Sequence, residues 1–156
     1  MAPVPQACPP QRRTATNALR AALYRDAVAI VRADFGRQLT LTEVSERLAA
    51  SPRQLRRAFA EIGGTTFRAC LCERRMSCAT ELLTDTELPV HEVAARVGYR
   101  EPSQFAKAFR WAYGATPSAF RAAGSKRPAS GSNRVGSIAF LVRDVYAFRG
   151  GQRGTQ

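Results

Sequence analysis

The sequence predicts an all-α chain in which two helix-turn-helix units are joined by one long helix. Three observations carry that prediction. Apolar residues recur at helical rather than alternating spacing, one unit occurs twice, and residues 67–83 between the two copies hold neither glycine nor proline. At 156 residues the chain has room for one ordinary domain with tails, which excludes a two-domain catalytic machine or a large barrel.

Residues 1–16 contain Pro3, Pro5, Pro9 and Pro10 with scattered Thr and Arg, the composition of a disordered lead-in. Over residues 17–35 the pattern changes. Tyr24, Ala27, Val28, Val31 and Phe35 lie on one stripe of an amphipathic helix, and Gly36 stops it.

The repeat follows. Val44 and Leu48 match Val93 and Val97, and Pro52, Gln54, Leu55, Phe59, Gly64 and Thr66 match Pro102, Gln104, Phe105, Phe109, Gly114 and Thr116. In the first copy, about residues 40–63, Thr40 and Glu43 form a capping box before a helix through Val44 and Leu48. Ser51 then caps a second helix with Pro52 in its favoured first position, and Leu55, Phe59 and Ile62 turn that helix to the core until Gly63 and Gly64 end it. In the second copy, about residues 89–113, Pro89 begins one helix, Gly98 breaks it, and Pro102 starts another through Phe105 and Phe109 to Gly114. Residues 67–83 form the connecting helix, about 25 Å long at 1.5 Å per residue. A last short helix follows Thr116 and Pro117 with Phe120 inward, closing a domain over residues 17–124.

Residues 125–156 form a basic linker and an apolar tail. Ile138, Leu141, Val142, Val145 and Phe148 have helical spacing but a composition equally suited to a strand, so the tail's role stays open between packing back, dimerising and binding a partner.

Charge narrows the function. The chain carries 24 basic against 12 acidic residues, a formal net charge of +12, and all its basic residues but Lys107 and Lys126 are arginine. That balance points to a polyanion, and the arginine fork suits phosphates and guanine edges. The second helix of each copy has a solvent face to match. Arg53, Arg56, Arg57 and Ala60 share one stripe opposite Leu55 and Phe59; Ser103, Gln104, Lys107 and Arg110 take the same face in the second copy. With Ser51 at the start of the first such helix, these residues are the candidate contacts to double-stranded DNA. Two reading helices on one chain must sit about 34 Å apart, one DNA turn, which the connecting helix plus module widths can supply. A monomer could then read an asymmetric site.

Other chemistry has little support. Cys70, Cys72 and Cys78 are two and six residues apart on one helix and point to different sides, which argues against a shared metal ion and leaves core or surface thiols as the simplest reading. His91 is the single histidine, with no nucleophile arrangement to serve, and no glycine-rich phosphate loop occurs. No enzyme activity, metal or cofactor is expected. Too few cysteines for a secreted framework, no charged start before an apolar run and no long apolar segment place the chain in a reducing, cytoplasmic setting away from membranes.

The stretch 90–121 closely resembles the second helix-turn-helix of the AraC/XylS family of bacterial transcription regulators, through Ala94, Ala95, Gly98, Tyr99, Phe105, Phe109, Gly114, Thr116, Pro117, Ser118, Phe120 and Arg121. Residues 39–83 resemble the family's first motif and linker helix through Ser51, Pro52, Leu55, Phe59, Gly64, Phe67, Arg75, Ala79, Leu82 and Leu83. The resemblance implies a homeodomain-like, seven-helix DNA-binding domain, base reading by Arg53, Arg56, Arg57, Ser103, Gln104 and Lys107, RNA polymerase as a partner and a place on the bacterial nucleoid. Because the first 16 residues cannot form an effector domain, a stand-alone regulator without a small-molecule effector is expected, monomeric unless the tail dimerises it. Cys70 and Ser45 replace larger or apolar family residues and predict a looser, more polar first module; Trp111 replaces a polar one and leaves a large ring open to solvent. The alternative reading is an adaptor or anti-activator that keeps the fold but binds another regulator or the polymerase.

Overall fold

The computed structural model describes residues 10–124, which form seven helices and no strand: α1 Pro10–Asp34, α2 Leu41–Arg47, α3 Pro52–Glu61, α4 Phe67–Asp85, α5 Val90–Arg96, α6 Pro102–Tyr113 and α7 Pro117–Gly124. The basic linker and apolar tail expected at residues 125–156, and the first nine residues of the lead-in, lie outside the described residues. Residues 10–16 correct the reading of that lead-in, since they belong to α1.

Each module closes its inner turn in the same way. After α2, the Ala49 N–H donates to Glu46 O at 3.1 Å and the Ala50 N–H to Ser45 O at 2.9 Å; after α5, Gly98 donates to Ala95 O at 3.1 Å and Tyr99 to Ala94 O at 2.9 Å. This paired closure needs a left-handed residue at the turn. Ala49 supplies it at φ 48° and Gly98 at φ 87°.

The caps differ. Ser51 Oγ accepts from the Gln54 N–H at 3.2 Å while Gln54 Oε1 accepts from the Ser51 N–H at 2.9 Å, a complete capping box on α3. Thr40 Oγ1 accepts from the Glu43 N–H at 3.1 Å, but the Glu43 carboxylate reaches Arg47 instead of returning to Thr40, so only half of that expected box forms. The second module's α5 and α6 begin at Pro89 and Glu101 with no side-chain cap.

Two cores lie along α4. Ala27, Val31, Leu39, Val44, Leu55, Phe59 and Leu71 fill the first, between α1, α2, α3 and the start of α4. Met76, Ala79, Leu83, Val93, Ala94, Val97, Phe105 and Phe109 fill the second. Phe35 packs against both. The second core is aromatic: Phe109 lies 4.7 Å from Tyr113 and 5.4 Å from Phe120 between ring centroids. Ile62, expected to face the core, is 40% exposed although it keeps helical geometry as the cap of α3, its N–H donating to Ala58 O at 3.0 Å. Trp111 is half-buried against Ala69 rather than open to solvent. Buried Ser45 is satisfied, donating to Thr42 O at 2.8 Å.

Candidate nucleic-acid interface

The exposed face of α3 follows from its own sequence. Leu55, Ala58 and Phe59 turn one side into the core, so Arg53, Arg56, Arg57 and Ala60 emerge on the other. On α6, burial of Phe105 and Phe109 leaves Ser103, Gln104, Lys107 and Arg110 exposed. The proline at the first helical position and the short turn before each helix set where that face begins.

These two faces do not contribute equally to one surface. Arg56 and Ala60 from α3 and Gln104, Lys107 and Ala108 from α6 line a single cleft of about 1350 Å³, floored by Phe67, Arg68, Leu71, Cys72 and Arg75 of α4. Arg53 and Arg57 instead line a smaller hollow of about 190 Å³ beside Thr16, Leu19, Arg20 and Leu23 of α1. Ser103 and Arg110 are exposed but border neither.

Two expected contacts are already engaged. The Ser51 hydroxyl accepts from the Gln54 N–H and donates to Gln54 Oε1 at 2.9 Å, so a phosphate would compete with the helix cap for it. Arg57 donates through Nε to Glu61, whose second oxygen pairs with Arg20 Nη1 at 2.6 Å. The hydrogen bond from Arg57, and then the charge of Arg20, hold the Glu61 carboxyl below the usual carboxylate range.

The cleft also contains basic residues that periodicity on α3 and α6 did not single out. Arg68 lies at the start of α4, while Arg100 sits in the turn before α6 beside Glu101. Neither falls on a repeated stripe. Their shared cue was charge beside a turn, which becomes meaningful once α4 floors the cleft.

The thiols sit where burial disfavours the thiolate form. Burial pushes Cys70, Cys72 and Cys78 up from the ordinary cysteine range, and Cys72 Sγ lies 3.8 Å from the Tyr99 hydroxyl. Among the described residues no cluster of His, Cys, Asp and Glu could hold a metal ion, and no helix is long and apolar enough to cross a membrane.

A family model described as a helix-turn-helix domain matches residues 44–123, which takes in both turns and both exposed faces. The chain belongs to the AraC family of transcription regulators. An uncharacterised HTH-type transcriptional regulator of Mycobacterium tuberculosis is 41% identical over 110 residues, covering 70% of this chain but 29% of the relative. The chain thus spans less than a third of that relative's length. The C-terminal domain of AraT, a response regulator from Geobacillus stearothermophilus, superposes with a TM-score of 0.64 at 35% identity, over 72% of this chain and 92% of that one. The DNA-binding domain of the global transcription factor AdpA, solved in complex with a target DNA, gives a TM-score of 0.64 at 30% identity, over 69% of this chain and 97% of that one. The all-helical architecture is that of the family's DNA-binding domain, and the family consists of DNA-binding regulators rather than enzymes.

Proposed function

We propose that this AraC-family domain reads an asymmetric duplex site as a monomer, with α3 and α6 entering successive major-groove segments. The observation that carries the proposal is the shared cleft: Arg56 from one module and Gln104 and Lys107 from the other open onto the same side of the molecule. The connecting helix has 19 residues, about 28 Å at 1.5 Å per residue. With the width of the flanking modules, that matches the roughly 34 Å between successive major-groove faces.

In this reading Arg56 presents its fork to guanine O6 and N7, Gln104 pairs with adenine, and Arg68, Arg100 and Lys107 neutralise phosphates along the cleft. Transcription would follow from the promoter the domain occupies and, as in the family, from contact with RNA polymerase.

Selection from random duplexes at about 150 mM salt tests the reading. One asymmetric motif of two blocks about one turn apart is the expected result; inverted copies of one block would mean a dimer, and no motif would favour an adaptor. If about six phosphates are neutralised, log affinity should fall against log salt with a slope near −5. Arg56→Ala should cost about 1–3 kcal/mol and relax preference at one base pair. An equal loss on every sequence would make Arg56 a phosphate contact.

A further inference from the structure

The modules meet at a polar joint. The segment between α1 and α2 belongs to the first module, and its backbone carbonyls point at α4. Arg75 Nε donates to Phe35 O at 2.8 Å and Arg75 Nη2 to Arg37 O at 2.7 Å. The same guanidinium lies over the Tyr99 ring, 5.4 Å from its centroid, and Tyr99 stands 5.6 Å from Phe105 of α6. Gln38 Nε2 reinforces the joint by donating to Gly98 O at 2.9 Å. One side chain therefore connects the loop before α2 to the turn before the second reading helix.

We propose that Arg75 is a positioning residue that locks the angle and separation of α3 and α6, so that the number of base pairs allowed between the two blocks of the DNA site is set at this joint. The proposal rests on the two-helix reading above. Arginine is the residue that can do this, since a planar fork satisfies two carbonyls while its face covers a ring; lysine has neither the fork nor the face. The two cores pack on different halves of α4 and share Phe35, a non-directional apolar contact, to which the joint adds hydrogen bonds of fixed direction. Arg75 also borders the cleft, but two of its nitrogens are committed to backbone carbonyls. That distinguishes a brace from a phosphate contact.

The test compares the full chain with Arg75→Ala and Gln38→Ala in two measurements. Without DNA, residual dipolar couplings of α3 and α6 amides should fit one alignment tensor for the native chain and require two for Arg75→Ala, each module's internal couplings being preserved. With DNA, the selected site is remade with one base pair added or removed between the blocks. The native chain should lose about tenfold in affinity, on the scale of one mismatched base pair, and Arg75→Ala less than about threefold. If Arg75→Ala unfolds by circular dichroism, Gln38→Ala, which removes one part-buried hydrogen bond, should show the same relaxation at smaller amplitude. A single tensor in the variants, or an equal loss at every spacing with a salt slope shallower by about one, overturns the proposal and makes Arg75 structural or a phosphate contact. Absence of a two-block site for the native chain would sink the two-helix reading and the spacing consequence with it, while the couplings still decide whether Arg75 locks the modules.

Discussion

The two helix-turn-helix units share a backbone turn but build it from different residues. Ala49 and Gly98 occupy equivalent places, both left-handed, closed by matching hydrogen bonds. Ala49 is exposed, and its methyl group is tolerated at the turn. At Gly98 a Cβ would stand 2.7 Å from Arg75 Nη2 and 2.8 Å from Phe35 O. The difference teaches that glycine in the second turn is required twice, by φ and by the joint that seats the first module against it.

Breaking the second turn should therefore have the largest effect. Gly98→Ala combines the left-handed penalty of about 1–2 kcal/mol per residue with overpacking of about 1–3 kcal/mol. A loss of roughly 2–5 kcal/mol in urea unfolding is expected, with displacement of Arg75 visible as a shift in the Tyr99 ring resonances. A loss under about 1 kcal/mol would mean that the joint yields easily.

The starts of α3 and α6 give a second contrast. Ser51 carries a complete capping box; Glu101, its counterpart, carries no side-chain cap. Ser51→Ala should cost about 1 kcal/mol of stability, within the usual 0.5–2 range for lost caps. Glu101→Ser should recover a similar amount in the other module. If Ser51→Ala instead leaves stability unchanged and weakens DNA binding, its hydroxyl serves phosphate before the cap.

Relaxing the first turn should have a smaller effect of opposite sign. Ala49→Gly removes the left-handed penalty at φ 48° but adds conformational freedom to the unfolded chain. A net gain of a few tenths to about 1 kcal/mol is expected from thermal unfolding. A loss would show that Ala49 is unstrained and that the two turns differ only in crowding.

Local features were the legible part of this fold. The repeat, the prolines opening α3 and α6, the Ser51 cap and the buried stripe of Leu55 and Phe59 each depend on residues within one or two turns of one another, and spacing reveals them. Ile62 failed because a stripe says which side of a helix faces inward but not whether anything packs over its last turn. Residues 10–16 were misread because proline-rich composition argued for a lead-in and no apolar stripe offset it. Arg68 and Arg100 escaped because no stripe contains them. Arg75 was visible through family resemblance, but its bonds to Phe35 and Arg37 cross nearly 40 residues of sequence, and no periodicity encodes such a joint. On α3 and α6 the exposed side chains were legible; their division between a shared cleft and a hollow beside α1 was not.

The hollow beside α1 yields the smallest effect and separates the modules once more, because Glu61 at the end of α3 has no counterpart pairing on α6. Glu61 joins Arg57 to Arg20 of α1, and these exposed pairs contribute little to stability. The sign of the pH effect is nevertheless fixed. Its folded pKa lies below the ordinary value of 4.5, so the contribution is complete above that pH and is lost as pH falls through the folded pKa. Glu61→Gln should flatten stability against pH only on this acidic limb, measured by urea midpoints from pH 6 down to about 3. At neutral pH the same change removes a negative charge from beside the exposed face of α3 and breaks the Arg57 pair. Binding should then strengthen on all sequences alike, with the salt slope steeper by about one if Arg57 takes up a phosphate. If affinity instead falls and preference at one base pair relaxes, Glu61 was holding Arg57 in a base-reading pose, and the first module reads with two arginines rather than one.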